Sequence, residues 1–207
     1  MNKLILVPQK EFDFSFNYKI IAGIDEVGRG PWAGPVVAAA VIIKNYDLLP
    51  NGINDSKKLS KLKLNSLYNT LINIVDYGIG IVEVDEIDLI GIGKASKEAM
   101  KKAFTNLAEK AEIALIDGRE KIDIDIDMVP IIKGDSKSIA IASASIIAKY
   151  TRDNMMMELA KSHPEYLWEK NVGYGTKYHR EAIEKHGISK HHRKSFKPIR
   201  KYFENIL

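Results

Sequence analysis

Three stretches rich in Ile, Val, Gly and Ala and bounded by turn residues occupy 19–25, 36–43 and 76–84, and they predict β-strands. The connection at 31–35 is short and holds Pro31 and Pro35, which suits adjacent antiparallel strands. The period then changes. Across 94–110, Ala95, Met100, Ala103, Phe104 and Leu107 fall close to helical spacing, and the apolar run AEIALIDG after them predicts a buried strand stopping at Gly118. A second short apolar piece, MVPIIKGD, leads into SKSIAIASASIIAKYTRDNMMMELAKS, a long helix rich in small residues that Pro164 must follow rather than interrupt. Helices predominate from there onward. Three early strands followed by α/β alternation predict an α/β fold: a mixed sheet, part antiparallel and part parallel, with helices packed on it.

A chain of 207 residues can bury a full core and suggests one domain with at most a small appendage. GYGT at 173–176 is the best boundary, dividing a sheet domain (1–172) from a basic helical segment (173–207) packed on it. No apolar run approaches the ~20 residues of a membrane span. The start, MNKLILVPQKEFDF, has no small-residue cleavage site, so a cytoplasmic protein is expected. The absence of cysteine excludes disulfides, thiolate metal sites and a cysteine nucleophile, and leaves oxygen or histidine to hold any metal.

The net charge of +4 is small, so its distribution matters more than its total. Lys185, Lys190, Arg193, Lys194, Lys197, Arg200 and Lys201 are not interrupted by any acid, and Lys57, Lys58, Lys61 and Lys63 form a second cluster. Both suit phosphate-facing surfaces; a solvated charged helix face is the competing assignment.

The stretch IAGIDEVGRGPWAGPVV sets Asp25 and Glu26 beside Gly28, Arg29 and Gly30. Gly28 to Ala33 matches a G-x-G-x-x-A dinucleotide fingerprint, but the loop runs into a predicted strand where the fingerprint requires a helix N-terminus. Carboxylates beside a pyrophosphate would also repel it. The glycines fit either a turn between strands or a loop whose unhindered amides approach a phosphate or sugar hydroxyl, with Arg29 in reach of a phosphate.

A carboxylate ending an apolar strand is costly unless paired, hydrogen-bonded or metal-bound, which singles out Asp25 and, after IALI, Asp117. Asp135 precedes the long helix, where an N-cap role competes. Converging at element ends, such acids make an oxygen-only site for Mg²⁺ or Mn²⁺, ions that in pairs drive in-line phosphodiester hydrolysis. Asp123, Asp125 and Asp127 alternate without the glycine and distal Glu of a calcium loop, and are expected in water. Asp153 lies about 27 Å beyond Asp135 along an unbroken helix and is expected in a structural ion pair. The five histidines show no zinc spacing and are expected mostly at the surface or facing nucleic acid, with His179, close behind Tyr174, the one to watch.

In order along nearly the whole chain, GIDEVGRGPWAGPVVAAAV, NDSKKLS, LIDG, KGDSKSIAIASASIIAKYTRD and GYGTKYH resemble type 2 ribonuclease H, specifically the bacterial ribonuclease HII family. The resemblance implies a ribonuclease H-like mixed sheet with a helical C-terminal segment. It implies cleavage of the RNA strand of RNA/DNA hybrids and, in duplex DNA, on the 5′ side of a single embedded ribonucleotide, leaving 3′-hydroxyl and 5′-phosphate ends. It places catalytic, metal-holding roles on Asp25, Glu26, Asp117 and Asp135, with two Mn²⁺ or Mg²⁺ ions. It gives substrate contacts to Gly28, Arg29 and Gly30 at the ribose 2′-hydroxyl and neighbouring phosphate, to Tyr174 at the junction sugar, and to Lys57 and Lys58 at phosphates, with Ser136, Lys137 and the basic tail as further phosphate contacts. Trp32 departs from the smaller aliphatic residue expected there and bears only on local packing or duplex contact. Threonine in place of Arg29 and an added N-terminal domain would mark the sister ribonuclease HIII. The partners implied are RNA/DNA hybrid and ribonucleotide-containing DNA, with no membrane, for a monomeric enzyme. Another two-metal, structure-selective nuclease and a non-catalytic hybrid-binding protein are the alternatives.

Overall fold

A computed structural model describes residues 8–204, so the first seven residues and Asn205, Ile206 and Leu207 at the end of the KYFENIL tail lie outside it. Five strands form one sheet: β1 (Ile21–Val27), β2 (Val36–Ile42), β3 (Asp76–Val82), β4 (Ile113–Asp117) and β5 (Asp127–Ile131), in the order β3-β2-β1-β4-β5. The short proline-containing link makes β1 and β2 antiparallel, β3 continues antiparallel on β2, and β4 and β5 run parallel to β1. The sheet is therefore mixed, as its sequence pattern predicts. The helices are α1 (Lys10–Phe14), α2 (Lys61–Leu71), α3 (Val84–Ile90), α4 (Ile92–Thr105), α5 (Ile139–Ser162), α6 (Trp168–Asn171), α7 (Lys177–His186) and α8 (Lys197–Glu204).

β2 is buried along its whole length because helices cover both faces of the sheet. Alternation along it sorts the two cores: Ala39 and Val41 face α5 and α2, while Val36, Ala38 and Ala40 face α4. The nine residues Ala140–Ala148 of α5 are all buried, which explains their richness in alanine and serine: the helix lies close against the centre of the sheet.

The strand expected at 19–25 begins at Ile21, the one at 36–43 ends at Ile42 and the one at 76–84 ends at Val82, and two boundaries differ more consequentially. The helix expected at 94–110 begins earlier and ends at Thr105, and Gly91, with φ of 81°, separates it from α3. β1 extends two residues past Asp25, because Asp25 and Glu26 still pair with Ala39 and Ala38 of β2. Asp123 and Asp125 are exposed, and Asp153 pairs with Lys149 at 2.6 Å, both as expected. No described helix is long and apolar enough to cross a membrane.

Candidate active site

β1 and β4 pair in parallel with Ile24 opposite Ile116, so Asp25 and Asp117 stand side by side one step further on. Ile21, Ile113 and Leu115 pack with Ile141 of α5, whereas Ile24, Ala114 and Ile116 pack on the α4 side. Strand alternation therefore sends both carboxylates toward α5 and Glu26 to the opposite face. Asp135 arrives on a 3-10 turn, Gly134–Ser136, just ahead of α5. It does not cap that helix. Ser138 does, its hydroxyl accepting the Ile141 N–H at 3.1 Å, which leaves Asp135 for the site. The Gly134 N–H donates to Asp117 Oδ1 at 2.6 Å and ties the turn to the strand end.

Carboxylate oxygens of Asp25, Asp117 and Asp135 lie within 4.8 Å of one another. Asp25 and Asp135 are only 5% and 7% exposed. Burial first, then the charges of Glu26, Asp117 and Asp135, pushes the Asp25 carboxyl well above the usual carboxylate range. Burial, Asp55 and Asp117 raise Asp135 to about 6. A divalent cation answers both causes, and three hard oxygen donors at this separation suit Mg²⁺ or Mn²⁺. Glu26 stands outside this cluster among the described residues. Its Oε1 lies 3.5 Å from Arg29 Nη1, and burial, offset by Arg29 and reinforced by Asp117, brings its pKa to about 7. It occupies the rim of the site on the α4 side.

The DSKK turn covers the other side. Lys57 is drawn down by partial burial, but Asp25, Asp135, Asp55 and Asp117 outweigh that and raise its pKa overall, so its ammonium faces the acid cluster. Lys58 is exposed, 3.8 Å from Asp55. Ser56 and Ser145 hydroxyls meet at 2.8 Å, and Ser145 also hydrogen-bonds Asp25, which links the lysine turn to a metal-site acid. The Ser136 hydroxyl, by contrast, donates to the Lys133 carbonyl at 2.8 Å and is committed to its own turn.

The Gly28-Arg29-Gly30 loop is held from within by two buried arginines. Arg193 makes five hydrogen bonds, to the carbonyls of Gly28, Arg29, Gly34 and Pro35. Arg152 makes three, to Ala33, Pro35 and Val172. Burial lowers both guanidinium pKa values, to about 10 for Arg152 and about 9 for Arg193, and both stay charged at neutral pH. In a trans peptide the C=O and the next N–H point in opposite directions. With the Gly28 and Arg29 carbonyls turned in to Arg193, the Arg29 and Gly30 N–H groups are turned out, and neither donates to an acceptor among the described residues. Gly28 adopts φ of 96°, and a Cβ there would overlap Arg152 Nε. At Gly30 a Cβ would lie 3.3 Å from Tyr174 Cε1, so the half-exposed tyrosine ring lies over this glycine.

The structure thus brings together Asp25, Asp117, Asp135, the lysine turn, the glycine loop and Tyr174. It corrects two expectations. Arg193, counted with the phosphate-facing basic tail, is fully buried, because the loop carbonyls need donors. His192, expected with most of the histidines at the surface or facing nucleic acid, is likewise fully buried, joined by a hydrogen bond to His179, the histidine singled out for its place close behind Tyr174. Trp32 is a packing residue: its ring lies against Gly175, and its backbone N–H donates to the Gly173 carbonyl at 2.8 Å. The sequence-based assignment missed Ser145, Asp55 and Arg152. Ser145 alone carries a visible signal, a hydroxyl inside the buried face of α5.

The family model for ribonuclease HII matches residues 22–199. A ribonuclease HII of Wolbachia pipientis from Culex pipiens is 51% identical over 181 residues, covering 87% of this chain and 92% of its own. One from Rickettsia akari is 51% identical over 186 residues, covering 90% and 95%. Among solved structures, ribonuclease H2 from Pyrococcus horikoshii superposes with a TM-score of 0.78 at 27% identity, over 90% of this chain and 98% of that one. The ribonuclease HII of Archaeoglobus fulgidus, solved in complex with PCNA, gives 0.73 at 27% identity, over 86% and 95%. With the motif order, the mixed sheet and the acid cluster all in agreement, this chain belongs to the ribonuclease HII family.

Proposed function

We propose that this protein is a metal-dependent endonuclease acting on the RNA strand of RNA/DNA hybrids, and that it cuts duplex DNA on the 5′ side of a single embedded ribonucleotide. The observation that carries the proposal is the juxtaposition of three clustered carboxylates, two of them buried, with a loop presenting two free N–H groups under an exposed tyrosine ring. Asp25, Asp117 and Asp135 would hold the cations, with Glu26 at the rim as the fourth ligand the family resemblance implies. Two Mn²⁺ or Mg²⁺ ions would supply activation of the attacking water and stabilisation of charge on the leaving 3′-oxygen.

The chain's own residues do the rest. The outward N–H groups of Arg29 and Gly30 can donate to a 2′-hydroxyl and its phosphate, and the 2′-hydroxyl is what separates RNA from DNA. The Tyr174 ring can pack against the adjoining deoxyribose. Lys57 and Lys58 hold phosphates without reading sequence, which predicts affinity that falls with salt. The protein would act as a monomer in the cytoplasm. A duplex containing one ribonucleotide, incubated with Mg²⁺ or Mn²⁺, tests the proposal when the product ends are identified. The expected result is a single cut 5′ of the ribonucleotide with 3′-hydroxyl and 5′-phosphate ends. Equal cutting of an all-DNA duplex would overturn junction recognition.

A further inference from the structure

Tyr174 is exposed, yet its backbone is fixed on every side. Its N–H donates to the Asn171 carbonyl at 2.9 Å, and its own carbonyl accepts from the Thr176 N–H at 2.8 Å. A third contact comes from His179 Nδ1, 2.9 Å from the same carbonyl. Behind it, His179 Nε2 faces both Trp168 Nε1 at 3.2 Å and His192 Nε2 at 3.0 Å. His192 Nδ1 in turn faces the Ser189 N–H at 2.9 Å.

These partners dictate where every proton sits. A backbone N–H only donates, so His192 Nδ1 accepts from Ser189 and its proton is on Nε2. An indole N–H only donates, so His179 Nε2 accepts from Trp168 and also takes the His192 Nε2–H. The remaining His179 proton is then on Nδ1, where a carbonyl, which only accepts, receives it. Only the pair of neutral rings satisfies all four contacts; a further proton on either ring would set N–H against N–H. Burial favours the neutral pair as well, lowering His179 and, with the His179 ring beside it disfavouring a second cation, pushing His192 to about 3.

We infer that His179 and His192 are positioning residues for junction recognition: a buried two-imidazole relay of fixed polarity that holds the Tyr174 backbone, and so its ring, over Gly30. The inference rests on Tyr174 serving at the RNA/DNA junction. The relay connects three separate parts of the C-terminal segment, the Ser189 turn, α7 and the GYGT loop, to one side chain at the substrate surface.

Two substitutions separate positioning from mere packing. His179→Asn keeps a donor at the Nδ1 position, whereas His179→Gln keeps a group at the Nε2 position and loses the donor to Tyr174. The readout is the ratio of kcat/KM on a single embedded ribonucleotide to that on a long hybrid, measured below the melting transition of every variant. His179→Gln is expected to lower this ratio about tenfold, the factor carried by one hydrogen bond of ordinary strength, while His179→Asn stays close to the parent. Equal ratios for both variants would overturn the relay. Tyr174→Ala is the control: if it leaves the ratio unchanged, the junction role of Tyr174 fails and the inference with it. If it collapses the ratio while His179→Gln does not, the relay alone fails. Nitrogen NMR on the unsubstituted protein at pH 7 gives a measurement free of folding effects. It should find His179 as the Nδ1–H tautomer and His192 as the Nε2–H tautomer, and any other pair would refute the relay.

Discussion

Arg193→Lys keeps the charge and removes the planar fork, and its cost can be worked from the hydrogen bonds of the parent side chain. Nη2 reaches Gly28 and Gly34 at 2.7 Å and Pro35 at 3.1 Å, Nη1 reaches Arg29 at 3.2 Å, and Nε reaches Gly34 at 2.9 Å. The Pro35 carbonyl keeps its bond from Arg152, but an ammonium presents its donors from one point, so about two of the other three carbonyls lose their partner in a region closed to water. At about 1–2 kcal/mol for each buried acceptor left unpaired, the substitution costs about 3 kcal/mol. In a chain of this size that lowers the melting temperature by about 6–12 °C, readable by circular dichroism or calorimetry. Function should suffer separately, because the carbonyls anchored by Arg193 set the outward direction of the Arg29 and Gly30 N–H groups. Cleavage at an embedded ribonucleotide, assayed well below the lowered melting point, is expected to drop by tenfold or more. An unchanged melting temperature would refute the bracing role. A lowered one with unimpaired cleavage would show that the arginine supports the loop without orienting it.

Three further outcomes follow from the site and from the helix that carries it. Asp117→Asn should reduce cleavage at least ~100-fold while hybrid binding persists, since binding draws on the lysines; cleavage at the parent rate would remove Asp117 from the site. Lys57→Ala should weaken hybrid binding and flatten the plot of log affinity against log salt by about 0.9 if Lys57 neutralises one phosphate of a B-form backbone, and an unaltered slope would exclude that contact. Asp13, buried, accepts the Ala140 N–H at the start of α5, and burial raises its pKa to about 6 against hydrogen bonds that lower it. The folded state thus holds this proton more tightly than the unfolded chain. The stability it contributes is complete below pH ~4 and is lost as pH rises through about 6, on the order of 3 kcal/mol in all. Denaturant titrations of Asp13→Asn across that window should lack this decline, and a matching decline in both proteins would assign it to other groups.

The parts of this molecule that obey a local period are the ones its sequence discloses. Alternation in β1 and β2, small residues throughout the first half of α5, and acids closing apolar runs at Asp25 and Asp117 all follow from one element meeting its nearest neighbours. Alternation also anticipates that Glu26 turns away from Asp25 if the strand continues, and the ladder to Ala38 shows that it does. What local pattern could not disclose is which polar side chains go inward. Arg193 sits in a run of like charges and His192 beside another histidine, the ordinary marks of a solvated surface, yet both are fully buried. The demand for them arises elsewhere in the chain. Residues 28–35 hold three glycines and two prolines and lie outside any strand or helix, so apart from the Trp32 carbonyl, which takes the Arg193 backbone N–H beside the isolated Ala33–His192 bridge, their carbonyls have no ladder to join. Once the C-terminal segment closes over that loop, those carbonyls need strong donors from outside the sheet, and a guanidinium can serve four of them at once. The glycine loop that faces the substrate is thus incomplete without an arginine more than 150 residues later in the chain. Removing the C-terminal segment takes away Arg193 and Tyr174 together and should abolish junction cleavage even though every proposed metal ligand precedes it, and retained junction cleavage by a chain ending before residue 173 would show that neither residue is needed there.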